Sequence, residues 1–195
     1  MAVTTRVRRA FARSVLRLTR WRLVGEVPRT GILVGAPHTS NWDWVATLLI
    51  AWANGVSPQV LIKKSFFKPG IGWVLRRTGG IPLDRADPGA TIRALLAQAE
   101  ADESFLLVIA AEGTRSKGKY WKSGFYRIAQ QTGLPVVLGF VDGPSRTLGM
   151  GPTLRPTGDV RADMDLVRAF YADKRGIRPE KRTEPRLREE EAPTS

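Results

Sequence analysis

The sequence predicts an α/β fold: a single domain with a mostly parallel central sheet flanked by helices, preceded by an amphipathic N-terminal helix. Three observations predict it. Short apolar runs such as GILVGA (31–36), FLLVIA (105–110) and LPVVLGFVD (134–142) read as strands buried on both faces. Segments of helical length, bounded by Gly, Pro, Asn or Asp, alternate with them. The 195 residues, 43% of them hydrophobic, suffice for one core and fall short of two ordinary domains.

Residues 5–23 are expected to form the first helix. At about 100° per residue, Val7, Phe11, Val15, Leu18 and Trp21 fall on one side, and Arg6, Arg9, Arg13, Arg17 and Arg20 form a stripe on the other. Two readings stay open for such a helix: it lies in a membrane interface with its arginines at anionic headgroups, or it covers the core of its own domain. After Pro28 the strand GILVGA ends at Pro37 and His38, and a helix follows from about Asp43 to Asn54. Gly55, Ser57 and Pro58 break that helix before the strand QVLIKK (59–64). GIGWVLRRTG (70–79) reads as helical, IPLDR (81–85) as a short strand, and residues 88–102 as a helix opened by Pro88. FLLVIA precedes AEGTRS, and a helix around GFYRIAQQTG ends at Gly133 before LPVVLGFVD. From Asp173 the chain is rich in both charges and poor in apolar residues, which predicts a mobile tail. The expected organisation is therefore 1–27 as a basic amphipathic, membrane-associating helix, 28–172 as the folded domain and 173–195 as the tail.

Charge and composition narrow the functional classes. The formal charge is +13, and residues 1–29, with eight arginines and one glutamate, hold +7 of it. Such an excess asks for an anionic partner: nucleic acid, a membrane surface or a phosphorylated substrate. There is no cysteine and a single histidine, which removes disulfides, thiol catalysis and Cys- or His-rich metal sites. The longest uninterrupted apolar candidate, VATLLIAWA (45–53), is half the length of a spanning helix, and arginines interrupt the first 25 residues where a signal peptide needs its apolar region. The expectation is a peripheral protein at the cytoplasmic face of the cell membrane.

The only histidine, His38, is followed five positions later by Asp43. On one continuous helix they would stand about 140° apart, so they meet only if residues 39–42 turn between a strand end and a helix start. In that arrangement the carboxylate fixes the imidazole tautomer and the other ring nitrogen is free to accept a proton. The alternative is a plain helix entry capped by Ser40, Asn41 or Asp43, with His38 a turn residue. In EGTRS (112–116), Gly113 permits a tight turn, Thr114 offers a hydroxyl, and Arg115 grips an oxyanion in two-point fashion or pairs with Glu112. GGIPLDR (79–85) and QVLIKK likewise end in Arg85 and in Lys63 and Lys64. Parallel strands carry their sites at their C-terminal ends, so these residues would converge into a phosphate pocket beside a base.

HTSNWD, GGIPLDR and EGTRS, in this order, resemble the motifs of the glycerolipid acyltransferase family, typified by bacterial 1-acylglycerol-3-phosphate acyltransferases. The similarity runs over roughly Thr30–Gly158, and a fourth motif is matched loosely by LPVVLGF, with Pro135 present and Gly139 near where a later proline is expected. The resemblance implies a glycerol-phosphate acyltransferase-like fold and acyl transfer without a covalent enzyme intermediate. His38, oriented by Asp43, would be the base. Lys64, Arg85, Glu112, Gly113, Thr114 and Arg115 would form the phosphate site, with Glu112 and Gly113 shaping it. It implies a lysophospholipid acceptor, foremost lysophosphatidic acid, and acyl-CoA or acyl carrier protein as donor, with no metal or bound cofactor. Phe66, Phe67 and Trp73 in SFFKPGIGW would serve either the core or a second membrane contact. A glycolipid or aminoacyl lipid is the rival acceptor within the family; nucleic-acid binding by the arginine stripe would leave the three motifs unexplained.

Overall fold

The apolar runs pair side by side, as buried strands without alternating polarity must. In a computed structural model that describes residues 2–83 and 105–191, seven strands form one sheet in the order β1-β7-β6-β2-β5-β3-β4. They are β1 (Arg22–Val24), β2 (Gly31–Ala36), β3 (Gln59–Lys63), β4 (Gly80–Leu83), β5 (Leu106–Ile109), β6 (Val136–Asp142) and β7 (Thr147–Leu154). All neighbours pair parallel except β6 and β7. The five α-helices among the described residues are α1 (Ala2–Leu18), α2 (Trp42–Ala53), α3 (Ile71–Arg77), α4 (Gly124–Thr132) and α5 (Val160–Tyr171). The helix expected over 88–102, and Arg85 with it, lie outside the described residues.

The alternation of side chains along each strand divides the core in two. Ile32, Val34, Leu107, Val136 and Leu138 face Phe125 and Ile128 of α4 and Met164, Val167 and Tyr171 of α5. Leu33, Leu106, Val108, Val137 and Val141 face Ala46, Leu49, Ile50 and Ala53 of α2 and Ala12 and Leu16 of α1. The result is a three-layer α/β/α arrangement. Two strands and one helix have no counterpart in the sequence reading. β1 has three residues and was absorbed into the expected helix, which stops instead at Leu18. β7 carries glycines and a proline, and its place follows from pairing with β6. α5 had a legible signal: Asp159 accepts from the amides of Arg161 and Ala162 at the helix start, and Met164, Val167 and Tyr171 repeat on one face. Gly139 sits inside β6, where a Cβ would come within 2.7 Å of Leu33 Cδ1, so packing between β6 and β2 accounts for the glycine there.

α1 has three faces rather than two. Ala12 and Leu16 are buried, and Val15 packs against the same cluster. Val7, Phe11 and Leu18, adjoining that face, stay open to solvent at 62%, 55% and 83% exposure. Arg6, Arg13 and Arg17 occupy the remaining side, all exposed. The helix thus covers the core of its own domain with one face, and an apolar strip beside its arginines is left uncovered.

The segment from Asp173, expected as a mobile tail, instead packs on the domain through residue 191. Its few apolar residues are the reason: Leu187 is completely buried in the α4/α5 core, and Ile177 packs on the opposite one. Trp121 N–H donates to the Arg186 carbonyl at 2.7 Å, and Glu190 holds Arg168 at 2.6 Å. Replacing Leu187 by Ala is therefore expected to lower the free energy of unfolding by about 3 kcal/mol. Chemical denaturation checks this, since a mobile tail would give no change.

Candidate functional site

The sheet order places the C-terminal ends of β2, β5, β3 and β4 side by side on one edge. His38 follows β2, Glu112–Ser116 follows β5 and Lys64 follows β3. Arg85 follows β4 in sequence but lies outside the described residues, so its side chain is not placed.

Immediately after β2 the backbone turns at Pro37–Ser40 into α2. His38 Nδ1 stands 3.0 Å from Asp43 Oδ2. A proton on Nδ1 would point at the carboxylate, and the tautomer that carries it there has its lone pair on Nε2. The same Oδ2 accepts from the amides of Thr39 at 2.7 Å and Ser40 at 2.8 Å, so Asp43 does not cap α2 but clamps the turn before it. Asn41 is the N-cap residue and makes no side-chain cap, while Ser40 Oγ accepts from the Trp42 amide at 3.2 Å within the turn. Asp43 is buried, whereas 24% of the His38 side chain remains open to solvent. A buried, hydrogen-bonded orienter behind a partly open imidazole is the arrangement that general-base chemistry requires.

Glu112 completes the clamp. It is buried, and its Oε1 accepts from the His38 amide at 2.8 Å. All three amides of the turn, those of His38, Thr39 and Ser40, thus end on two buried carboxyl groups. The alternative, a Glu112–Arg115 pair, does not form. Glu112 faces inward, while the Arg115 guanidinium lies 5.8 Å over the ring of Phe66, in the 3-10 turn Lys64–Phe66. That contact joins the loop after β5 to the one after β3. Gly113 has a φ of +65°, and a Cβ there would come within 3.0 Å of Lys122 Cγ. Thr114 Oγ1 accepts from the Ser116 amide at 3.3 Å, and Thr114, Arg115 and Lys64 are exposed. Of the expected phosphate residues, then, Lys64, Gly113, Thr114 and Arg115 are exposed to solvent. Glu112 stands behind them as a support for the turn, a role that adjacency in EGTRS could not reveal. Among the described residues no three His, Asp or Glu side chains converge as a metal-ligand set.

Burial raises the Glu112 carboxyl from 4.5 to about 7, outweighing the opposing pull of the His38 amide. Its Oε2 has no hydrogen-bond partner among the described residues, so the neutral acid suits the site. A group whose pKa is raised on folding contributes its full stability below its unfolded value, and that contribution is lost as pH rises to the folded one. Between about pH 4.5 and 7 the unfolded chain has released the proton and the native one retains it. Wild type is therefore expected to lose about 3 kcal/mol relative to Glu112→Gln across that window, and nothing further above it. Unfolding curves for both proteins as a function of pH check this; parallel profiles would contradict it.

The chain is similar to known proteins in sequence and in fold. A family model described as Acyltransferase matches residues 20–138. A curated relative, the chloroplastic 1-acyl-sn-glycerol-3-phosphate acyltransferase BAT2 of Brassica napus, is 36% identical over 126 residues. The match takes in 62% of this chain and 35% of that protein, so the chain spans about a third of its relative's length. Among solved structures, the 1-acyl-sn-glycerophosphate (LPA) acyltransferase PlsC of Thermotoga maritima superposes with a TM-score of 0.54 at 19% identity. That superposition covers 84% of this chain and 74% of the other, a likeness of fold. With the family model spanning well over half of its length, including His38, Asp43 and the EGTRS loop, the chain belongs to the acyltransferase family.

Proposed function

We propose that this protein transfers a fatty acyl group from a thioester donor, acyl-CoA or acyl carrier protein, to the free hydroxyl of a lysophospholipid, foremost 1-acylglycerol-3-phosphate. The observation that carries the reading is the His38–Asp43 contact at 3.0 Å, beside a basic edge. His38 Nε2 removes the proton from the acceptor hydroxyl as its oxygen attacks the thioester carbonyl. Asp43 steadies the imidazolium that forms, and collapse of the tetrahedral adduct breaks the C–S bond, with the proton passing to the departing thiolate. Lys64 and Arg115, with Arg85 from the adjacent strand end, hold the acceptor's phosphate. Thr114 adds a hydroxyl, and Glu112 and Gly113 shape the loop. Rates with labelled acyl-CoA and a panel of acceptors test the reading. Lysophosphatidic acid is expected to outrun monoacylglycerol, glycolipid and aminoacyl lipid acceptors; preference for an acceptor without phosphate would overturn the assignment.

We propose further that the protein works at the cytoplasmic face of a membrane, on anionic lipid. No described helix is long and apolar enough to cross a bilayer. The support is the distribution of exposed apolar side chains: Val7, Phe11 and Leu18 on α1, Trp42 and Val45 at the start of α2, and Phe66, Ile71, Trp73 and Val74 on and before α3. Trp42 precedes Asp43 in the chain, and Phe66 carries the Arg115 guanidinium over its ring. An interfacial helix that presents apolar residues beside arginines binds reversibly and favours anionic lipid. Because Ala12 and Leu16 hold α1 to the core, the test is Val7→Ser/Phe11→Ser/Leu18→Ser rather than deletion of the helix. Flotation with anionic vesicles is expected to be lost in this variant at unchanged thermal stability; retained flotation would remove α1 from the contact.

A further inference from the structure

The family match ends at residue 138, yet the chain returns to the catalytic turn much later. After α5, the segment Asp173–Arg178 crosses the C-terminal edge of the sheet against Pro37–Thr39. Arg178 N–H donates to Thr39 Oγ1 at 3.0 Å, and Arg175 N–H donates to Asp142 Oδ1, at the end of β6, at 2.8 Å. Gly176 lies so close that a Cβ on it would meet Thr39 Oγ1 at 2.9 Å and Pro37 Cβ at 3.1 Å. Its carbonyl accepts from the Gly143 amide at 3.0 Å.

These contacts fix the backbone and leave the two arginine side chains exposed. Lys174 and Arg182, their basic neighbours, are engaged with Asp173 and Glu184. By contrast, no side-chain hydrogen bond or ion pair holds Arg175 or Arg178 among the described residues, although Asp173 lies within electrostatic range of Arg175. The sheet order then matters. β2 lies between β6 and β5, so His38 has the Arg175–Arg178 segment on its β6 side and Lys64 and Arg115 on its β5/β3 side. One base thus stands between two separate cationic groups, and only one of them is needed for the acceptor's phosphate.

We infer that Arg175 and Arg178 form a second anion site, which binds the phosphate at the far end of the donor's pantetheine arm. This rests on the acyltransferase reading, in which a second phosphate-bearing substrate must reach His38. The 4′-phosphate is common to coenzyme A and to carrier-bound phosphopantetheine, and coenzyme A adds the phosphates of its nucleotide. Guanidinium groups bind such oxyanions through paired, charge-assisted hydrogen bonds.

Calorimetric titration of the full chain with the free thiols tests the site without turnover. The probes are pantetheine, 4′-phosphopantetheine and coenzyme A; the proteins are wild type and Arg175→Gln/Arg178→Gln. The variant is expected to bind phosphopantetheine and coenzyme A about tenfold more weakly, a 1.4 kcal/mol difference, and pantetheine as wild type does. A larger loss with coenzyme A than with phosphopantetheine also supports the site and adds the nucleotide phosphates to its ligands. Equal affinities in both proteins, an equal loss with all three probes, or wild-type affinity that ignores the phosphate would overturn the inference. Restoration by Arg175→Lys/Arg178→Lys would confirm charge as the cause, and its failure would require two-point contacts. Acyl transfer by the same wild-type preparation is scored separately. Transfer with phosphate-independent binding sinks the inference alone, and phosphate-dependent binding without transfer sinks the acyltransferase reading alone.

Discussion

His38→Ala is expected to lower the turnover rate by about 10²- to 10⁴-fold, the range that a positioned general base supplies, with little change in the KM for the lysolipid. The fold should not register the change. The imidazole is at a strand end, a quarter exposed, outside both apolar clusters, and alanine keeps the amide that Glu112 holds. Steady-state kinetics together with a thermal melt check this. Activity and stability falling together would make His38 a structural residue of the turn.

Asp43→Asn and Asp43→Ala are expected to separate two roles carried by one oxygen. Asp43 Oδ2 accepts from the Thr39 and Ser40 amides and faces His38 Nδ1. Asparagine keeps an acceptor for the amides but removes the charge that stabilises an imidazolium, so the rate should fall by about 10²-fold or more while stability stays near wild type. Alanine removes the acceptor as well. It leaves two buried amides unpartnered, at about 1–3 kcal/mol each, so activity and stability should both fall. Kinetics and denaturant unfolding of the pair check this; an asparagine variant with wild-type turnover would reduce Asp43 to a backbone clamp.

The fold was legible where one signal decided it. GILVGA, QVLIKK and LPVVLGFVD became strands at nearly their expected bounds, because a run of branched and apolar residues bounded by turn formers has few other uses. α2 and α4 followed from their breakers, Gly55 and Gly133. β7 was hidden because a strand containing glycine and proline is formed by its partner rather than by its own propensity. The packed 173–191 segment was hidden because local composition reports charge density, whereas Leu187 is one residue whose burial depends on a distant Trp121. α1 was read correctly as amphipathic, but a two-sided wheel does not distinguish the face that packs from the apolar strip beside it.

At the site, spacing alone allowed His38 and Asp43 to meet without requiring it; the turn that joins them closes because the carboxyl groups of Asp43 and Glu112 accept its three amides. The inward turn of Glu112 is a long-range fact, 74 positions from the amide it holds. Arg175 and Arg178 were invisible as site residues for the same reason, since nothing near them in sequence announces Thr39.

Acyl transfer from a thioester to a lysolipid hydroxyl is tested by following the label. Purified protein is incubated with acyl-CoA labelled in the acyl group and with lysophosphatidic acid, and the lipids are separated. The expected product is labelled phosphatidic acid, in equal amount to the free thiol released. Label recovered as free fatty acid, or retained on the protein, would contradict it, for the first makes the acceptor water and the second requires a covalent intermediate.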